Sequence, residues 1–227
     1  MRIACGLNLV IGIQAALLAR TQTGLGQHVD VALLDSAIAM LANVGMNHLA
    51  TGKVPPRLGN GHPSIVPYQV FATEGAQHLI LACGNDKQFA AVCEVMGQNW
   101  IADERFATNP QRVKNRAELV PLMQAEFLRQ ERDAWLALFD AASVPCGPIN
   151  NIAEAVAMPQ TQARSMVVEL AKKDTTMRVL GSPVKLSGTP VQYLSAPPDL
   201  GQDTVSVLTS LGYTQEQIEQ LQQQHIV

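Results

Sequence analysis

The sequence predicts a mixed fold of the α/β kind, more closely α+β, and three observations predict it. Helix-favouring apolar runs open the chain, a two-strand hairpin pattern closed by a Gly-containing turn lies in its middle, and helices with apolar residues at core spacing follow. At 227 residues with 47% hydrophobic content, the chain can bury a sizeable core and is not expected to be disordered.

Residues 6–20, GLNLVIGIQAALLAR, are rich in Leu, Ala and Gln and end in the turn sequence TQTGLG, the pattern of a core helix. Asn8 and Gln14 interrupt the apolar run and no basic segment precedes it, so a buried helix is expected here, neither a membrane span nor a signal peptide. Residues 27–34, QHVDVALL, alternate like a strand. A second buried helix is expected over residues 36–49, with Asp35 or Ser36 as its N-cap. Residues 51–63, TGKVPPRLGNGHP, are dense in Gly and Pro and predict a loop.

The runs VPYQVFAT and HLILACG, either side of a turn at residues 74–77, predict a hairpin with Tyr68 and Phe71 in the core. Helices are predicted over residues 86–96, 116–129 and 132–142. In the first, Phe89, Val92, Cys93 and Met96 share a face, and in the last Trp135, Leu138 and Phe139 do. Beyond Pro159 the chain reads as extended and proline-punctuated, closing in a polar helix over residues 215–224. The division that follows is a helical segment over residues 1–65, a small α+β domain over 66–164 and an extended C-terminal segment over 165–227.

The 16 Lys and Arg against 19 Asp and Glu leave a net charge of −3, with no electropositive excess to neutralise phosphates, so nucleic acid is not an expected partner. Cys5, Cys83, Cys93 and Cys146 show neither C-x-x-C spacing nor disulfide-scaffold density. Buried free thiols in a reducing, cytoplasmic compartment are expected. No metal-ligand spacing, nucleophile elbow, phosphate loop or dinucleotide fingerprint is present, so no metal site is expected, and the residues alone stop at a soluble α+β protein.

The stretch LLARTQTGLGQHVDVALLDSAIAML resembles the signature segment of the class III CoA-transferases, the CaiB/BaiF family. GNGHPSIVPYQVFAT, VPCGPINNIAEAVAMPQTQARSMVVEL, LGSPVKLSGTP and PPDLGQDTVSVLTSLGYT resemble its later blocks in the same order. The resemblance implies the C-terminal part of that fold, with residues 1–65 belonging to its large domain and residues 165–227 returning to that domain or to a partner subunit. It implies an enzyme that moves CoA between an acyl-CoA and a small carboxylic acid, with the CoA thioester as substrate and no permanently bound cofactor. It also implies an interlocked homodimer, or pairing with a separate N-terminal half. An α-methylacyl-CoA racemase, which lives on the same fold, and a non-catalytic assembly remnant are the alternatives.

In the family an aspartate four residues before the first helix's glycine attacks the thioester and forms a mixed anhydride. That glycine corresponds to Gly6, and the aspartate position holds Arg2, a permanent cation that offers only donors. A truncated chain, inactive alone, is therefore expected, and its catalytic residue is unassigned. Gly59, Asn60, Gly61, His62 and Pro63 correspond to a glycine-containing loop bordering the substrate, where exposed amides can stabilise an oxyanion. His62 is also weighed as an acid or base, and Asp30 and Asp35 as replacement nucleophiles. Their plainer roles are a turn residue for His62, a residue in a paired network for Asp30 and a helix cap for Asp35. Gln27 and His28 belong to the signature segment without an assigned role, and Cys146 reads as a small buried residue.

Overall fold

The computed structural model describes residues 1–173 and 175–227. They are 47% helix and 12% strand, the mixed class that the pattern predicts. They form two compact units, Met1–Ile149 and Asn150–Val227.

The first unit opens with α1 (Arg2–Thr23), ended by Gly24 in the left-handed conformation. The helix forms as its composition dictates, but it is not a core helix, because none of its residues is buried. Leu7, Val10, Ile11, Ile13, Leu17 and Leu18 are each 44–66% exposed. One face does meet the chain that follows: a Cβ on Gly12 would lie 2.8 Å from Val29, and Asn8 donates to the buried Ser36 hydroxyl at 3.1 Å. The remaining apolar residues meet no cover from the described residues, and that is why expected burial fails here.

Residues 27–32 form no strand, since an alternating pattern needs a ladder partner and this segment has none among the described residues. The expected second helix is two, α2 (Leu33–Ala39) and α3 (Ala42–Thr51), parted at Met40 and Leu41. Neither Asp35 nor Ser36 is the cap. Ala32 is, with no side-chain bond, and Asp35 lies in the first turn, where a carboxylate complements the helix dipole.

After the Gly and Pro loop come β1 (Tyr68–Ala72) and β2 (His78–Ala82), antiparallel, with Val70 opposite Ile80. A short β3 (Cys146–Pro148) pairs antiparallel on the other edge of β2. Against this sheet pack α4 (Asp86–Val95), α5 (Asn109–Lys114), α6 (Arg116–Phe127) and α7 (Arg132–Ala141). Phe127 anchors the core, its ring 4.6 Å from Phe71 and 5.4 Å from Trp135, whose indole N–H donates to the Phe127 carbonyl at 3.0 Å. Phe71 is buried as expected, whereas Tyr68 is only partly so, because its ring covers the preceding loop.

All four cysteines are free, and Cys83 and Cys93 are buried. Burial pushes the Cys83 thiol up to about 11 despite the nearby Arg112 cation, so it stays protonated and inert at neutral pH. Cys146 is half-buried, not fully so, because its short strand lies at the sheet edge.

The second unit corrects the extended tail. It contains α8 (Ile152–Ala157), opened by an Asn151 and Glu154 capping box, then α9 (Pro159–Ala163). An antiparallel hairpin follows, β4 (Val167–Lys172) with β5 (Thr175–Leu180), then α10 (Thr204–Ser210) and α11 (Gln215–Gln223). Residues 182–198 are the long stretch without regular structure, where proline recurs. Lys172 and Lys173 pair with Asp199 at 2.7 and 2.8 Å and hold its carboxyl down to about 2. The pairing is therefore present above the ordinary carboxylate range and lost as pH falls through about 2.

Candidate functional site: a clamped glycine loop

The loop between α3 and β1 owes its shape to bonds made by distant residues. Gly59 is exposed at φ 60°, a left-handed conformation that glycine adopts without steric cost. The Gly61 amide then donates back to the Leu58 carbonyl at 3.0 Å, and the His62 amide to the Tyr68 carbonyl at 2.9 Å. The Asn60 side-chain oxygen accepts from the Val70 amide at 3.0 Å, tying the loop to β1.

Three side chains of α5 and α6 hold the other edge. Arg116 donates to the carbonyls of His62 at 2.6 Å and Pro63 at 3.2 Å. Asn109 donates to the Ser64 carbonyl at 2.9 Å and accepts from the Val66 amide at 3.1 Å. Arg112, fully buried, donates to the carbonyls of Val66 at 2.7 Å and Phe106 at 3.0 Å and to Asp86 at 2.7 Å, with its guanidinium 4.2 Å from the Phe89 ring centre. A Cβ on Gly61 would stand 3.2 Å from the Leu58 carbonyl and 3.3 Å from Arg116, so glycine lets the guanidinium close on the loop. Burial lowers the Arg116 pKa.

This network narrows the oxyanion expectation. The Gly61 amide is spent inside the loop, the His62 amide on the first residue of β1, and Pro63 has none, which leaves Gly59 and Asn60 as the segment's unengaged backbone donors among the described residues. His62 sits with its ring stacked on Tyr68, centres 5.4 Å apart, and its Nδ1 accepts from the Ser64 amide at 3.1 Å. Its Nε2 lies 3.5 Å from the Asn43 side-chain nitrogen.

The structure does not gather the other candidates with the loop. Arg2 is exposed at the start of α1, and its side chain makes no hydrogen bond or ion pair among the described residues. Asp30 and Asp35 are exposed and likewise unpaired, so the expected network around Asp30 is absent, and Gln27 and His28 are exposed. Sequence reasoning missed Asn43, Asn109, Arg112 and Arg116. The signal was the spacing of Asn109, Arg112 and Arg116 at i, i+3 and i+7, one face of a helical path.

Removing the Arg116 clamp has a local consequence. Arg116→Ala is expected to cost only about 1 kcal/mol of global stability, because the freed carbonyls can be rehydrated. Amide exchange at His62 should nevertheless accelerate by about tenfold or more, measured by hydrogen exchange on the folded chain.

The family model described as CoA-transferase family III matches residues 1–204. The succinate–glutarate CoA-transferase of Agrobacterium fabrum is 43% identical over 208 residues, covering 91% of this chain and 52% of that protein. The acetyl-CoA:oxalate CoA-transferase of Acetobacter aceti is 39% identical over 184 residues, 81% of this chain and 46% of that protein. The crystal structure of a CaiB/BaiF family protein from Brucella suis superposes with a TM-score of 0.75 at 40% identity, over 91% of this chain and 54% of that one. The chain thus spans about half the length of the curated relatives it matches. With the family pattern running through its helices, its clamped loop and most of its second unit, the chain belongs to the CoA-transferase family III.

Proposed function

We propose that these residues supply the loop-bearing part of an acyl-CoA:carboxylate CoA-transferase whose acid substrate is a small dicarboxylate. The observation that carries this reading is the clamped Gly59–Pro63 loop, with two free amides, in a chain similar to enzymes named for succinate, glutarate and oxalate. In the mechanism that the family resemblance implies, an aspartate carboxylate attacks the acyl-CoA carbonyl, CoA thiolate leaves and a mixed anhydride forms. The developing oxyanion calls for preorganised amides, and those of Gly59 and Asn60 suit that role. Arg2 cannot supply the nucleophile, so a polypeptide of these 227 residues is proposed to be inactive by itself.

A hybrid tests this reading. Residues 6–227 joined behind the N-terminal half of the Agrobacterium relative, which contributes its own aspartate, should transfer CoA from succinyl-CoA to glutarate. A folded hybrid that transfers none would overturn the reading.

The helix α1 is long and apolar enough to cross a bilayer. We propose that it packs on protein instead, because Gly12 and Asn8 already engage the following segment and Asn8 and Gln14 interrupt its apolar surface. Residues 1–65 on this view belong to the family's large domain. At about 1.5–3 kcal/mol per large apolar side chain fully buried, completing the cover of Leu7, Val10, Ile11, Ile13, Leu17 and Leu18, each already about half-covered, contributes roughly 5–10 kcal/mol, comparable with the whole stability of a marginal domain. Association with a second copy or with an N-terminal half follows. Sedimentation of the 227-residue chain at micromolar concentration should show a dimer or larger species, and a stable monomer would refute the proposal.

A further inference from the structure

We propose that the notch between Asn43 on α3 and His62 in the loop seats a carboxylate of the acid substrate, with the imidazole Nε2–H and the Asn43 amide as its two donors. The identity of the acid rests on the transferase reading, whereas the donor pair rests on the geometry of the ring. Ser64 donates its amide hydrogen to His62 Nδ1 at 3.1 Å, so that nitrogen carries a lone pair, and the proton of the neutral ring is on Nε2. The Ser64 bond selects this ring orientation, and the ring plane is stacked on Tyr68 with an 18° interplanar angle, while the His62 amide and carbonyl are held by the Tyr68 carbonyl and Arg116.

Nε2–H therefore faces the Asn43 nitrogen at 3.5 Å, donor against donor. Exchanging the nitrogen and oxygen of the Asn43 amide leaves a contact at the outer limit of a hydrogen bond. In either arrangement the direct contact between the two side chains is weak. An oxygen seated beside the pair, at hydrogen-bond distance from each nitrogen, accepts from both, and a carboxylate, which only accepts, fits this pair better than a hydroxyl or an amide. Asn43 is exposed, so the notch is open to solute, and the Arg116 guanidinium on the His62 carbonyl adds a nearby positive charge.

The test uses the 227-residue chain with nitrogen-15 in its His and Asn side chains, titrated with glutarate and separately with the uncharged glutaramide. Before addition the His62 ring should report the Nε2–H tautomer. Glutarate should then shift the His62 Nε2 and Asn43 amide signals saturably, and glutaramide should not. Asn43→Ala and His62→Leu should each weaken glutarate by about tenfold or more, while His62→Gln, which keeps a donor near the Nε2 position, should retain part of the affinity. An Nδ1–H ring, signals that glutarate does not move, equal shifts from glutaramide, or unchanged affinity in Asn43→Ala and His62→Leu would each overturn the proposal. The two readings fail separately. Were only the transferase reading wrong, the hybrid would not transfer CoA while glutarate still seated here. Were only this proposal wrong, the hybrid would transfer and the ring would stay unmoved.

Discussion

Arg112→Ala is expected to destabilise the first unit by about 3–5 kcal/mol, the cost of stripping a buried, hydrogen-bonded cation from its partners. Its guanidinium is fully buried and bridges the carbonyls of Val66 and Phe106 to Asp86, while its face covers the Phe89 ring. Truncation opens a cavity and strands two acceptors that water reaches poorly. The ion pair is the smaller part, because the Asp86 side chain is 52% exposed and solvates without help. Asp86→Ala should nevertheless cost about 3 kcal/mol, because it leaves the buried Arg112 guanidinium without a counter-charge and the Asn109 amide without its acceptor. Arg112→Lys should recover little, since a single ammonium cannot span the planar fork. Urea denaturation decides the matter, and a loss below about 1 kcal/mol for Arg112→Ala would contradict this account. The same residue fixes Val66, where the clamped loop ends, so its loss should also loosen the Asn109 bonds to Ser64 and Val66.

The second large effect concerns position 2. A hybrid that retains residues 2–227 behind the relative's N-terminal half keeps Arg2 in place of the aspartate that the family resemblance puts there. Its transfer rate should fall by about four orders of magnitude or more against the same hybrid with Arg2→Asp, as expected when a covalent nucleophile is removed. The guanidinium offers no lone pair for attack, so raising the pH should not restore activity. The position is accessible, because Arg2 is exposed and makes no bond among the described residues that a substitution would break. The Arg2→Asp carboxylate would also sit in the first turn of α1, which has no acidic residue of its own and whose dipole favours one. Equal rates in the two hybrids would show that the carboxylate comes from elsewhere in the site.

Two short apolar runs either side of a Gly-containing turn made the β1 and β2 hairpin legible, and the turn placed both strands within a few positions. The helices around Phe89, Phe127 and Trp135 were legible because their apolar spacing matches one buried face. The β4 and β5 hairpin was present in VVELAK and TTMRVL, but the prolines and glycines beyond it dominated the reading. Two capping boxes, at Asn151 and Thr214, were visible as polar pairs three residues apart. Exposure of α1 was not legible, since an all-round apolar helix looks the same whether or not a partner covers it.

The site divided in the same way. The glycines and the histidine announced a loop, but its clamps lie 43 to 54 residues away along the chain. A buried arginine reads like a surface one until the carbonyls it satisfies are known. Which loop amides remain free is likewise decided by tertiary bonds, and so is the tautomer of His62, which depends on the backbone of Ser64.

Hydrogen exchange across residues 59–63 in the active hybrid, with and without saturating succinyl-CoA, tests the central claim most directly. The amides of Gly61 and His62 are already bonded, to Leu58 and Tyr68, and should change little. Those of Gly59 and Asn60 should gain protection when the thioester binds, and the gain should persist when Arg2→Asp is used to supply the nucleophile. Saturating substrate that leaves Gly59 and Asn60 exchanging freely, with protection appearing elsewhere in the chain, would contradict the assignment of this loop to the substrate site.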